Sequence, residues 1–82
     1  YGYRKDGVQV ETQFGNVARY YADIMKIEKA YREGIIDFGV MILPDKERAN
    51  SMGTNIAYYE RTEKELKEMR EIISCQIILY GV

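Results

Sequence analysis

The sequence predicts an α/β domain in which helices cover a mixed sheet, with elements in the order β-α-β-α-β. Residues 8–14 alternate between apolar and polar side chains, which is typical of a strand with two unlike faces. Segments 16–34 and 55–73 repeat apolar residues at three- and four-residue steps, as amphipathic helices do. The short apolar segments 35–43 and 75–82 predict further strands. Strands joined by a crossover helix are usually parallel, so we expect parallel pairing between the later strands.

The first strand carries a polar row on one face. Its residues divide into this row and an apolar set predicted to face the core: Gln9, Glu11 and Gln13, against Val8, Val10, Thr12 and Phe14. Side chains two apart on a strand lie about 6.5–7 Å apart on one face, so Glu11 and Gln13 point the same way. Such a row is either a solvated sheet face or part of a metal and water site.

Asp6 and Gly7 precede this strand and predict a tight turn, because Asp-Gly is a strong hairpin signal. Residues 1–6 are therefore expected to end an earlier strand. Asp6 is also the carboxylate nearest to Glu11 in the sequence that could join it at a metal ion. A turn residue needs no such role, and both interpretations stay open.

The remaining elements are bounded by caps and breakers. Asn16 suits the N-cap of the first helix, and Gly34 suits the position after its end. The polar segment 44–54 is predicted to be a loop, and Asp37 to lie inside the strand 35–43 as a functional carboxylate or a hydrogen-bonded edge residue. The apolar stripes of the two helices are Val17, Tyr20, Tyr21, Ile24, Ile27 and Tyr31, then Ile56, Tyr59, Leu66, Met69 and Ile73.

Composition indicates one small domain, residues 1–82, and excludes several kinds of site. The chain has 82 residues, a net charge of −1, no histidine and one cysteine, Cys75. An internal disulfide, a histidine zinc site and a histidine-activated nucleophile are therefore excluded, and the lone thiol fits a cytoplasmic setting. No apolar run approaches the roughly 18 residues of a membrane helix, so no membrane partner is expected. The abrupt start at Tyr1 suggests a fragment of a longer chain.

The stretches "GVQVETQFGNVARYYADIMKIEKAY", "GIIDFGVMILP" and "ANSMGTNIAYYERTEKEL" resemble the BglII/BstYI-type type II restriction endonucleases. The resemblance covers nearly the whole chain and implies the PD-(D/E)XK nuclease fold. It further implies a Mg²⁺-dependent, sequence-specific endonuclease that acts on double-stranded DNA as a homodimer, without a nucleotide cofactor. A palindrome that contains GATC is the implied recognition sequence.

The family motif is an Asp, eight further residues and then Glu-x-Gln. The resemblance therefore assigns Glu11 as the catalytic and metal-binding carboxylate and Gln13 as its catalytic companion. Thr12 would offer its backbone carbonyl to the metal. Counting back nine residues from Glu11 gives Gly2 instead of Asp, so the sequence as written lacks a complete active site.

DNA recognition is expected beside the catalytic strand. The resemblance places Asn16 at a base contact, although an N-cap Asn needs no second role. The segment 49–55 resembles a second recognition element, with loop polarity as the alternative explanation. Possible contacts are Asn16, Arg19, Ser51, Thr54 and Asn55, with Lys26, Lys29 and Arg32 as further phosphate contacts or a solvated helix face.

The leading hypothesis is a Mg²⁺-dependent DNA endonuclease, present here as its core. The alternative is a non-catalytic α/β module that binds DNA or a protein partner and has lost the chemistry. The departure at Gly2 keeps both hypotheses open.

Overall fold

A four-stranded sheet and three helices form the chain in a computed structural model, which describes residues 2–82. The α/β class and the mixed sheet are therefore confirmed. The elements are β1 (Gly2–Lys5), β2 (Val8–Thr12), α1 (Val17–Arg32), β3 (Phe38–Leu43), α2 (Lys46–Met52), α3 (Tyr59–Glu68) and β4 (Ile77–Gly81).

The strands lie in the order β1-β2-β3-β4. β1 pairs with β2 antiparallel, whereas β2, β3 and β4 are mutually parallel, as the helical crossovers predict. The turn between β1 and β2 has φ values of 52° at Asp6 and 80° at Gly7. Two positive φ angles are what a two-residue hairpin turn of type I′ requires, so the hairpin prediction is confirmed over the described residues. Tyr1 lies outside them.

Helices α1 and α3 both pack on one face of the sheet, at two glycines. A Cβ atom on Gly39 would lie 2.5 Å from Ile27 of α1, and one on Gly81 would lie 3.1 Å from Tyr59 of α3. Gly39 pairs with Gln9 on β2, and paired residues point to the same side of a sheet. Gln9, Glu11 and Gln13 therefore face the helices.

The predicted core face of β2 was wrong. The polar row is buried, with exposed fractions of 5% for Gln9, 4% for Glu11 and 6% for Gln13. Val8 and Val10 are only half-buried on the opposite face. The alternation was confirmed, but its direction was reversed because the buried row has polar partners: Asp23 of α1 for Gln13, and Arg4 of β1 for Gln9, which in turn bonds to Glu11.

Several boundaries differ from the sequence prediction because of backbone contacts. β3 begins at Phe38, and Asp37 lies before it in an exposed position, where its N–H donates to Gly7 O at 2.6 Å. Asp37 is therefore neither buried nor inside the strand. β2 ends at Thr12 and β4 covers only Ile77–Gly81.

The predicted loop 44–54 contains helix α2, and the predicted helix 55–73 forms only over Tyr59–Glu68. Asp45 caps α2 by accepting a hydrogen bond from Arg48 N at 2.8 Å. Residues 55–57 instead bond to the chain around Asn16, which delays the start of α3.

The apolar stripe of α1 was partly correct. Tyr20, Ile24 and Ile27 are buried, whereas Tyr21 and Tyr31 are 39% and 37% exposed. Asp23 and Glu28 occupy buried positions instead. The core comprises Tyr20, Ile24, Ile27, Ala30, Ile36, Met41, Leu43, Ala57, Ile73 and Cys75.

Glu28 connects α1 to the segment before β4. Its Oε1 accepts hydrogen bonds from the N–H groups of Ser74 at 3.0 Å and Cys75 at 2.8 Å, and its Oε2 accepts one from Arg32 Nε at 2.5 Å. Burial would raise the pKa of the Glu28 carboxyl, but the Arg32 guanidinium and the two N–H groups outweigh burial and hold the pKa below its usual range. The carboxylate thus stabilises the fold in its charged form.

Replacing Glu28 with Gln should destabilise the protein, because the amide oxygen can still accept from Ser74 and Cys75 but the charge and the oxygen that bind the Arg32 guanidinium are lost. We expect a loss of about 1–3 kcal/mol at neutral pH, measured by urea unfolding. The wild-type contribution is complete above the ordinary glutamate pKa of about 4.3 and disappears as the pH falls through the lowered folded-state pKa.

The difference between the two proteins should therefore shrink at an acidic pH below the ordinary glutamate pKa. Glu68→Gln, at an exposed position on α3, is the matched control and should change stability little at either pH. Equal stabilities of the two variants would show that Glu28 is not a structural anchor.

Candidate active site and nucleic-acid interface

Gln13 lies at the end of β2, where strand, turn and helix meet. Its Nε2 donates to Asp23 Oδ2 of α1 at 2.7 Å, and its Oε1 accepts from Gly15 N at 2.7 Å. A Cβ atom at position 15 would lie 2.6 Å from Gln13 Oε1, so a side chain there would displace the Gln13 amide. The amide is therefore held in one orientation, with its donor and acceptor both engaged.

Glu11 is held from the side of β1. Gln9 Nε2 donates to Glu11 Oε2 at 2.9 Å, and Gln9 Oε1 accepts from Arg4 Nε at 3.1 Å and Arg4 Nη2 at 2.7 Å. The Arg4 guanidinium is thus linked to the Glu11 carboxylate by hydrogen bonds through the Gln9 amide. Sequence reasoning noticed Gln9 in the polar row but assigned no role to it or to Arg4.

Gly2 lies directly opposite Glu11 in the antiparallel register. A Cβ atom at position 2 would lie 2.6 Å from Glu11 Oε2 and 2.9 Å from Glu11 Oε1. The Glu11 carboxylate therefore occupies the space over Gly2 that a side chain there would need. The position that the resemblance assigns to Asp is thus next to Glu11 in space, and it carries no side chain.

The residues at this point of the sheet do not fit a complete Mg²⁺ site, which usually needs more than one carboxylate or a phosphate besides water. Asp6 lies in the hairpin turn beyond Val8, about 10 Å from Glu11 along the strand direction. Asp37 contacts the same distant turn at Gly7. Within residues 2–82, no three acidic, cysteine or histidine side chains cluster as metal ligands would.

Thr12 lies between Glu11 and Gln13 on β2, where it pairs with Ile42 of β3. Its backbone carbonyl remains a predicted ligand. Asp23 is a buried carboxylate that the sequence analysis missed, and it bonds to Gln13 and lies 3.9 Å from Lys26 Nζ. The one sequence signal for the burial of Asp23 is its position relative to the regularly spaced apolar residues of α1.

Two predicted DNA-contact segments are neighbours in the structure. Val17 N donates to Asn55 O at 2.9 Å, Ala57 N donates to Gly15 O at 3.0 Å, and Asn16 forms a β-bridge with Ile56. Asn16 and Asn55 are both exposed. The structure therefore brings one residue from each predicted recognition segment to the same end of the sheet.

The N-cap prediction for Asn16 is also confirmed, since its Oδ1 accepts from Arg19 N at 3.1 Å. Arg19 lies over Gly15, with its Cδ 3.5 Å from the Cβ position of that glycine. Thr54 is exposed beside Asn55. Ser51 lies in α2 and not in a loop, and its hydroxyl donates to Arg48 O at 2.7 Å.

The other predicted phosphate contacts lie elsewhere. Arg32 is about 24 Å along α1 from Asn16 and bonds to Glu28 and to Ile72 O. Lys29 shares the last turn of α1, and Lys26 pairs with Asp23. Of the cations of α1, Arg19 is thus the one beside Asn16.

A family model described as restriction endonuclease BglII/BglIII matches residues 2–82. No curated protein matches the chain. Among residues 2–82, no helix combines the length and the apolar character needed to cross a bilayer.

Replacing Gly2 with Asp should create a divalent-ion site, because the new carboxylate would lie beside that of Glu11 after a small side-chain shift. We expect Mg²⁺ affinity to rise by at least about tenfold, measured by isothermal titration calorimetry. Gly2→Asn has the same size without the charge and should not bind the ion. Equal affinities of the two variants would show that position 2 does not face a metal site.

Proposed function

The chain belongs to the BglII/BglIII family of restriction endonucleases, and we propose that it is the core of an enzyme that hydrolyses phosphodiester bonds of double-stranded DNA at a specific sequence. One observation supports this most strongly. Glu11 on β2 and Gln13 just after it face the same side of the sheet, and the chain leads directly to Asn16 and its neighbour Asn55. The proposed catalytic residues are thus adjacent to the proposed DNA-recognition surface.

Glu11 and Gln13 have different roles in this proposal. Glu11 would be one ligand of a divalent ion such as Mg²⁺ or would hold its water, and such an ion would supply Lewis acidity and a more acidic bound water. Gln13 cannot act as a base because an amide does not titrate near neutral pH, so it orients water or phosphate by hydrogen bonds. Thr12 offers its carbonyl oxygen. Because no three acidic, cysteine or histidine side chains cluster within residues 2–82, the full ligand set requires a further group.

Recognition is assigned to the exposed groups at the end of β2. The Asn16 amide suits the N6 and N7 atoms of adenine, and Ser51, Thr54 and Asn55 belong to the second recognition segment. Arg19 contacts phosphate. A homodimer matches the two-fold symmetry of a palindromic site, and the free thiol of Cys75 fits a cytoplasmic protein.

A second candidate function is a DNA-binding module without hydrolysis. Two observations favour this candidate. Gly2 provides no second carboxylate beside Glu11, and Gln9, which is itself bonded to Arg4, satisfies the Glu11 carboxylate without a metal ion. The two candidates share the DNA-binding surface and differ only in cleavage.

Replacing Glu11 with Gln in the intact protein should separate them in a plasmid assay with Mg²⁺. If the protein is an endonuclease, the wild type produces discrete fragments and the variant cuts more slowly by orders of magnitude, because the charge that holds the ion or its water is lost. Binding to DNA should survive, since other groups contact phosphates and bases.

Glu63→Gln, at an exposed position on α3, is the control for charge and should cut like the wild type. Cleavage by Glu11→Gln at the wild-type rate would remove Glu11 from the mechanism. Binding without cleavage by the wild type would instead establish the second candidate function.

Replacing Asn16 with Ala should reduce both DNA selectivity and stability. Loss of a bidentate base contact costs about 1–3 kcal/mol of discrimination, and loss of the N-cap costs about 1 kcal/mol of stability. Asn16→Ser keeps a good N-cap but loses the amide, so it should lose selectivity and retain stability. Gel shifts with a GATC-containing and a scrambled duplex, together with thermal melting, measure the two effects. Unchanged selectivity in both variants would leave Asn16 as a cap alone.

A further inference from the structure

Arg48 places a second guanidinium group at the end of β2. Its guanidinium carbon lies 5.7 Å from the ring centroid of Phe14, within the range of a cation–π contact. Phe14 is 37% exposed, and Arg48 is also exposed. Both side chains therefore lie on the surface, and Phe14 is two residues before Asn16 in the sequence.

Among residues 2–82, no carboxylate forms an ion pair with the Arg48 guanidinium. Arg32 and Arg61, by contrast, form ion pairs with Glu28 and Glu65. A guanidinium stacked on an aromatic ring keeps its N–H groups directed outward, where they can bind an anion bidentately.

The backbone of Arg48 is firmly held. Asp45 caps α2 through Arg48 N, and the next residue, Ala49, is buried at 3% exposure. Asp45 N also donates to Val82 O at 3.1 Å, which joins the start of α2 to the chain after β4. With the backbone fixed and the side chain held by Phe14, binding an anion costs less conformational entropy than it would for a free arginine.

Phe14, Gly15 and Asn16 follow one another, and each lies beside a group suited to DNA. Arg48 stacks on Phe14, Arg19 lies over Gly15, and Asn16 adjoins the segment of Asn55. Phosphate contacts position a protein on the duplex, while base contacts specify the sequence. The guanidinium groups of Arg48 and Arg19 therefore suit phosphate contacts beside the base contact proposed for Asn16.

We propose that Arg48, held by Phe14, binds a backbone phosphate of the duplex whose base edges face Asn16. This inference rests on the proposed DNA-binding function and adds a positioning residue to it. The sequence analysis missed Arg48 because it placed residues 44–54 in a loop. The contact carries no sequence information, so its loss affects all duplexes equally.

The test measures DNA binding by fluorescence anisotropy at several salt concentrations, with a GATC-containing and a scrambled duplex. Arg48→Gln should weaken binding to both by about three- to tenfold near roughly 0.1 M salt and reduce the salt slope by about 1. Phe14→Leu keeps the charge and should weaken binding less, with an unchanged slope. Arg70→Gln removes the same charge at an exposed position beyond the end of α3 and should have no effect.

An Arg48→Gln variant that matches Arg70→Gln in affinity and slope would overturn the inference while the proposed function stands. A loss confined to one sequence would also overturn it, because it would indicate a base contact. Absence of DNA binding by the wild type would instead overturn the proposed function itself. Thermal melting checks that the variants are folded.

Discussion

Helix α1 is joined to the rest of the fold through buried polar groups, and these groups determine where the helix lies. It contributes Asp23, Glu28 and Tyr20, which bond to β2, to the segment before β4 and to α3. A buried donor or acceptor without a partner costs about 1–3 kcal/mol, so each pair opposes sliding of the helix more strongly than apolar contacts do. Among residues 2–82, every fully buried side-chain nitrogen and oxygen has a partner.

The same pairs position the proposed interface. The bond between Asp23 and Gln13 fixes the first half of α1 against the end of β2, so Asn16 cannot move away from the strand. Glu65 of α3 accepts from Tyr20 and Tyr21, and these phenols with the Arg61 guanidinium hold its pKa below the usual range although burial would raise it. The segment before α3, which carries the second predicted recognition residues, is thereby kept beside α1.

Local patterns predicted the elements but not which faces they bury. The alternation in residues 8–14 is visible in the sequence, yet the burial of Glu11 depends on β1 and α1, which are distant in the pattern. Gly39 and Gly81 form the contacts with the helices because they lack side chains, and no local period reveals this. Helix α2 was missed because it has seven residues and Ala49 is its one buried side chain. Asn16 was predicted correctly because a cap is a local interaction.

The spacing between positions 2 and 11 has a physical origin in the hairpin. A two-residue turn at Asp6 and Gly7 pairs residues symmetrically about itself, so residue 2 faces residue 11 directly. Two residues that are nine positions apart in the sequence are therefore direct cross-strand neighbours. The turn could be predicted from the sequence, and with it the neighbour of Glu11. Position 2 is the place on β1 from which a side chain faces Glu11 directly, and its glycine leaves Arg4, acting through Gln9, as the group that balances the Glu11 charge.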